Sequence, residues 1–275
     1  MLAAFILFVA TEIPIRVFLL YNHMNAQNGF YTGDPGMAAY AFYIVAFVGI
    51  LFFVFSNLFF RQRVVLESQW RSRSICAVGS CFALSLIFDF IGQFMLFFNT
   101  SDMLALYDEV MLGVTSKAPL LIQGALALFA AFYIALYSLS NVIENFNFSS
   151  FSLFGVLPSL WCAYRLIRTF FVEVNLFNTS QRFIEMMMLV FAMMFFHNFA
   201  KYNAGYRNGV RYSSLMVFGW TAAFLSFAVS VAPICLIITG NAQRLPFMET
   251  SAFVDFFMGT FILTVLLKNN FSQRF

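Results

Sequence analysis

Long apolar runs alternate with short polar breaks along the whole chain. A run of about 20 apolar residues forms a helix that matches the ~30 Å hydrocarbon core of a bilayer. Eight such runs are predicted as spans: about Leu2–Tyr21, Met37–Phe60, Ser74–Asn99, Pro119–Ser140, Phe151–Val174, Phe183–Ala200, Tyr212–Thr239 and Ala252–Leu267. The expected fold is therefore an all-α polytopic transmembrane bundle of about eight spans, forming one integral membrane domain over residues 1–275. The last run is the shortest, and it reads either as a crossing or as a helix lying in the interface. The first run starts almost at Met1 and lacks a basic n-region and a cleavage site, so it is expected to be retained as a signal anchor.

The polar breaks differ in charge, and that difference sets an expected orientation. The second loop, Arg61–Arg73, holds four arginines, whereas the first, Asn22–Gly36, holds no Lys or Arg. Nine Lys/Arg fall on the side shared by the even-numbered loops and the C-terminus, and three on the other. The positive-inside rule then places both termini in the cytoplasm of a multi-pass plasma-membrane protein. The loop Thr100–Ala118 carries Asp102, Asp108 and Glu109, and its middle, Met103–Leu112, reads as an interfacial helix. Asn99 and Asn178 each open a formal glycosylation triplet on the expected outer side.

Composition agrees with this reading. The chain is 62% hydrophobic and 10% charged, with a mean hydropathy of +0.84; a soluble domain carries about 25% charged residues. The 41 Phe are expected to serve packing and lipid contact. Cys76, Cys81, Cys162 and Cys235 all fall in predicted spans without a C-x-x-C pair, and read as small buried apolar residues.

Charges inside the spans change the picture more than composition does. The segment Pro158–Val174 carries Arg165 and Arg168. A central Arg costs ~2.5–3.5 kcal/mol to insert, and an apolar residue returns only ~0.3–0.6 kcal/mol. Two arginines therefore offset roughly ten apolar residues, and this span needs polar partners from other helices. Trp161, Arg165 and Arg168 stand at i, i+4 and i+7 on one helical face. Ser85, Asp89 and Gln93 form another stripe, Glu12 and Arg16 are spaced to pair along the first span, and Glu185 and Asp255 enter from the outer ends of their spans. At ~1.5 Å per residue, these charges lie at the midplane or in the outer half, with Asp89 and Arg165 at equal depth.

The expected substrate-binding cluster is Glu12, Arg16, Asp89, Gln93, Trp161, Arg165, Arg168 and Glu185. Intramembrane charges pair with one another or line a wet cavity. The cluster reads either as a solute site or as a structural ion-pair lattice, and Arg16 and Arg168 also read as snorkelling outward. A balanced set of charges favours the lattice, because an anion site leaves an arginine uncompensated.

Two halves, 1–140 and 151–275, show weak internal likeness. Ile15-Arg16-Val17-Phe18 parallels Ile167-Arg168-Thr169-Phe170, and Arg71-x2-Ser74-x4-Gly79-x3-Ala83 parallels Arg211-x2-Ser214-x4-Gly219-x3-Ala223. The pattern suggests a parallel 4+4 repeat that sets Arg16 and Arg168 facing each other across the half–half interface.

Several chemistries lack their residues. The sequence has no H-E-x-x-H, no G-x-S-x-G and no P-loop, and its two histidines, His23 and His197, fall on opposite expected sides. A lone His197 reads as a packed or interfacial residue, and the methionines of span six as deformable packing. No cofactor, metal or nucleic-acid partner is expected, and no enzymatic activity is assigned.

Pro14-Ile15-Arg16-Val17-Phe18-Leu19-Leu20-Tyr21, followed by Gly29-Phe30-Tyr31, resembles uncharacterised polytopic membrane proteins of clostridial bacteria. The likeness covers the first helix and loop. It implies a bacterial plasma membrane and carries no activity. From the residues alone, the expected function is that of a transporter or permease-like protein holding a small, anionic solute. The alternative is a non-enzymatic receptor or complex subunit whose basic cytoplasmic loops dock a protein partner or anionic lipid.

Overall fold

A computed structural model describes residues 1–25, 31, 35–59, 72–99, 118–143, 148–170, 179–204, 212–245 and 251–271. Eight α-helices stand among them: α1 Leu2–Asn22, α2 Gly36–Phe59, α3 Arg73–Asn99, α4 Ala118–Ser140, α5 Leu157–Arg168, α6 Thr179–Asn203, α7 Tyr212–Ile238 and α8 Ala252–Phe271. The described residues hold no strand beyond one isolated bridge, Met24 to Tyr31. The fold is an all-α bundle, as the apolar periodicity requires.

Six helices (α1, α2, α3, α4, α6 and α7) are long and apolar enough to cross a membrane by length and composition. Their apolar side chains are not all hidden. Met37, Tyr40, Phe88, Ile44, Leu7 and Phe132 are each more than half exposed. A soluble protein does not leave so much large apolar surface in water, so the bundle is that of an integral membrane protein.

Span five departs from its expected form. In place of one helix over 151–174, a 9-residue 3₁₀ segment, Phe148–Val156, leads into the 12-residue α5. Two local causes are visible. Pro158 sits in the first turn of α5, where its missing N–H costs nothing and its fixed φ starts a helix. Phe148, Phe151 and Phe154 recur every third residue, the spacing that lines up along a three-residue turn. A 3₁₀ run of this length is unusual. At ~2.0 Å per residue for the 3₁₀ segment and ~1.5 Å for α5, the two together reach roughly 36 Å, enough to cross.

Helix α8 is not a surface helix. Its Val254, Met258, Phe261, Ile262, Val265 and Leu266 are all buried, and it lies between α3 and α7. Both neighbours come close through glycine. A Cβ on Gly79 of α3 would collide with the Ser138 hydroxyl and press on Phe261 of α8, and one on Gly219 of α7 would come within 2.9 Å of Leu266 of α8.

Helices α3 to α8 close into a ring, in which each packs on the next and α8 returns to α3. Helices α1 and α2 pack on each other and on α7, outside that ring. The bundle therefore divides as two plus six, and the expected 4+4 arrangement is not seen. Helix α7 is the most enclosed of the long helices, with 67% of its apolar window buried. One aromatic cluster glues α1 and α2 to α7 through Phe5, Phe8, Phe53, Trp220 and Phe224, with ring centroids 5.6–6.2 Å apart. A second fills the ring: Phe82 of α3, Tyr137 of α4, Phe196 and Phe199 of α6 and Phe261 of α8.

Candidate functional site

Adjacent helices of the ring run in opposite directions, so the C-terminal parts of α3 and α5 share one end of the bundle with the N-terminal parts of α4, α6 and α8. Asp89 and Gln93, Arg165 and Arg168, Gln123, Glu185 and Asp255 occupy those five positions in turn. Each charge enters its helix from the same end, which is why one network can form. The aromatic fill lies deeper. Phe82 precedes Asp89 by seven residues and Phe261 follows Asp255 by six, which places the rings roughly 10 Å further along the bundle.

Arg165 is the hub. Its Nη1 donates to Asp255 Oδ1 at 2.5 Å and its Nη2 to Asp255 Oδ2 at 2.8 Å, a bidentate pair, and Nη2 also donates to Glu185 Oε1 at 2.7 Å. The three residues are 4%, 0% and 6% exposed. The guanidinium stands 5.8 Å from the Trp161 ring, on the same face one turn earlier. One buried cation thus serves two carboxylates, and ties α5 to α6 and α8.

A second set runs along the other flank of α5. The Trp161 indole Nε1 donates to Asp89 Oδ2 at 3.3 Å, and Gln93 Nε2 donates to Asp89 Oδ1 at 3.2 Å. Arg168 Nη1 donates to Gln93 Oε1 at 2.8 Å and to Gln123 Oε1 at 2.5 Å. Asp89 and Arg168 are half-buried, whereas Gln93 and Gln123 are buried. Among the described residues, Arg168 has no carboxylate partner and Asp89 no Arg or Lys partner. A single amide, Gln93, stands between them.

The structure thus brings together six of the expected site residues: Asp89, Gln93, Trp161, Arg165, Arg168 and Glu185. It separates the other two. Glu12 and Arg16 lie on α1, which packs on α2 and α7 rather than on the ring's polar end. No direct ion pair joins them, although Arg16 is near enough to act on the Glu12 carboxylate electrostatically. Arg16 instead turns to the aromatic face of Phe42 on α2, 5.4 Å from its centroid, and is buried there rather than snorkelling. Glu12 is fully buried and neither carboxylate oxygen has a hydrogen-bond partner. Arg16 and Arg168 do not face each other, because α1 and α5 are not packing neighbours.

No family model, curated protein or solved structure matches this chain.

Two members of the network, Asp255 and Gln123, stand outside the expected cluster. Asp255 is expected in the outer half with the other charges but stands near the start of the weakest apolar run, and its pairing with Arg165 follows from α8 lying inside the ring. Gln123 is neutral and carries no charge signal, although a buried amide in an apolar span is itself a sign of a polar partner. His197 is exposed on α6, and no group of three or more His, Cys, Asp or Glu side chains that could hold a metal ion occurs among the described residues. The predicted interfacial helix at 103–112, the basic loops at 61–71 and 205–211, and Glu173 and Glu249 lie outside the described residues.

Proposed function

We propose that the chain is a transporter or permease-like protein that holds a small solute bearing a carboxylate or phosphate at Arg168. The observation that carries this is the difference between its two arginines. Arg165 is bound by two buried carboxylates, whereas Arg168 is held in place by two amide oxygens and has no carboxylate partner among the described residues. Neutral second partners fix a guanidinium without neutralising it, as an oxyanion site requires. The aromatic fill beneath the polar end supports the same reading, since it closes one end of the ring while the charges gather at the other.

In this reading, the chain crosses the bilayer eight times, with span five crossing as a 3₁₀–α pair and both termini in the cytoplasm. The polar end then faces outward from a plasma membrane. The test is thermal unfolding of the purified full chain in detergent with acetate, succinate, inorganic phosphate and the standard L-amino acids. A ligand at 100 times its Kd stabilises by about 2.7 kcal/mol. One of these compounds should raise the unfolding midpoint of the native chain and fail to do so for Arg168→Gln. No shift with any of them would sink the proposal.

A second reading is favoured by Arg165 itself. Its closed triad with Asp255 and Glu185 is structural lattice rather than site, and a receptor or complex subunit would need no more than that. Such a protein would bind none of the compounds, and its partner would be sought at the basic loops.

A further inference from the structure

We propose that the solute is a zwitterion of the α-amino-acid type, with its carboxylate on Arg168 and its ammonium on Asp89. The inference rests on the solute-binding reading above and adds the second charge. Asp89 accepts hydrogen bonds from two neutral donors, Trp161 and Gln93, and Arg168 donates to two neutral acceptors, Gln93 and Gln123. Neither group makes a direct ion pair with a described residue, although Arg165 acts on Asp89 at longer range. They are of opposite sign and both half-buried, beside a triad that is closed.

Gln93 is what keeps them apart. Without it, a carboxylate and a guanidinium at this depth would collapse into a direct ion pair, as Arg165 and Asp255 do. Its amide faces Asp89 with its N–H and Arg168 with its oxygen, at 3.2 and 2.8 Å. The two hydrogen bonds and the width of one amide put the charged atoms at most about 8 Å apart. The ammonium and carboxylate of an α-amino acid, each with its own charged hydrogen bond, also span roughly 8 Å. A bound zwitterion would give each group a counter-charge at once and leave the net charge of the polar end unchanged. A simple anion would satisfy Arg168 alone and sit against the Asp89 carboxylate. Arg168 spends Nη1 on the two glutamines, which leaves its Nε/Nη2 edge as the bidentate face for a carboxylate.

The test compares probes carrying one charge with probes carrying two, on the full chain in detergent. The probes are the standard L-amino acids and glycine betaine, against acetate, inorganic phosphate and methylammonium, read by the unfolding midpoint and by calorimetric titration. At least one amino acid should bind ten-fold or more tightly than acetate and methylammonium. Asp89→Asn and Arg168→Gln should each weaken it at least ten-fold. Binding of acetate or phosphate that matches the best amino acid, and that survives Asp89→Asn, would overturn the zwitterion while leaving the anion site standing. Silence of the native chain toward every probe would overturn both. The ranking of probes on the native chain decides the matter even if a variant fails to fold.

Discussion

Replacing Arg165 with Gln should cost more than any other single substitution in the polar end. The native side chain makes three charged hydrogen bonds, two to Asp255 and one to Glu185. Glutamine can replace one donor at most, and it leaves two buried carboxylates without a cation. Breaking a buried pair by removing one partner costs about 3–5 kcal/mol, mostly as the penalty of the charge left behind. Against a total stability of roughly 5–15 kcal/mol, that loss is severe. The origin of the loss can be separated from side-chain volume. Arg165→Gln combined with Asp255→Asn removes one stranded carboxylate and should recover about half of the deficit. The coupling between the two positions should then be ~2–3 kcal/mol. Reversible unfolding in mixed micelles, followed by tryptophan fluorescence, reads all four members of the cycle. Arg165→Gln within 1 kcal/mol of the native chain, or a coupling near zero, would refute the claim that this triad holds α5, α6 and α8 together.

The remaining predictions test other parts of the bundle. Arg168→Gln loses bonds to neutral amides at a half-buried position, so its stability should fall by no more than about 1 kcal/mol, in the same unfolding assay. Glu12→Leu removes a buried carboxylate that has no hydrogen-bond partner, and should leave stability unchanged or raise it by about 1 kcal/mol; a clear loss would show that Glu12 is held by a partner after all. Phe261→Ala strips the aromatic fill of the ring that touches α3, α4 and α6, and should cost about 3–5 kcal/mol. Gly79→Ala should be destabilising by about 1–3 kcal/mol, because Ser138 is fixed by its own bond to the Ile134 carbonyl and cannot easily move aside. After replacement of the four native cysteines, Ala105→Cys should react with an impermeant maleimide on intact cells and Ser68→Cys should not; the reverse pattern would invert the proposed topology.

The residues of the site were legible to different degrees. Trp161, Arg165 and Arg168 announce one face by their spacing, and the cost of inserting two arginines announces that the face must meet polar groups. Asp89, Gln93 and Glu185 were legible by the same logic, since each is a polar side chain stranded in an apolar run at a matching depth. Glu12 and Arg16 met the same criteria and stand outside the hydrogen-bonded network. Depth along a helix says nothing about which helix lies beside which, and α1 lies against α7, outside the ring. Asp255 met the criteria too and stands outside the expected cluster, yet it takes two of the three hydrogen bonds of Arg165.

What the sequence by itself determined is whatever depends on one helix at a time: all-α architecture, apolar length, the face on which a charge stands and the depth at which it stands. Those follow from the 3.6-residue period, the rise per residue and the cost of charge in hydrocarbon. The tertiary structure decided which helices are neighbours. It chose a closed ring of six with two helices outside it, and buried α8 between glycines on α3 and α7. It also chose which arginine is neutralised. Between apolar helices, close approach of small residues and aromatic fit decide the neighbours, and those are properties of pairs of surfaces that no single helix carries in its own sequence.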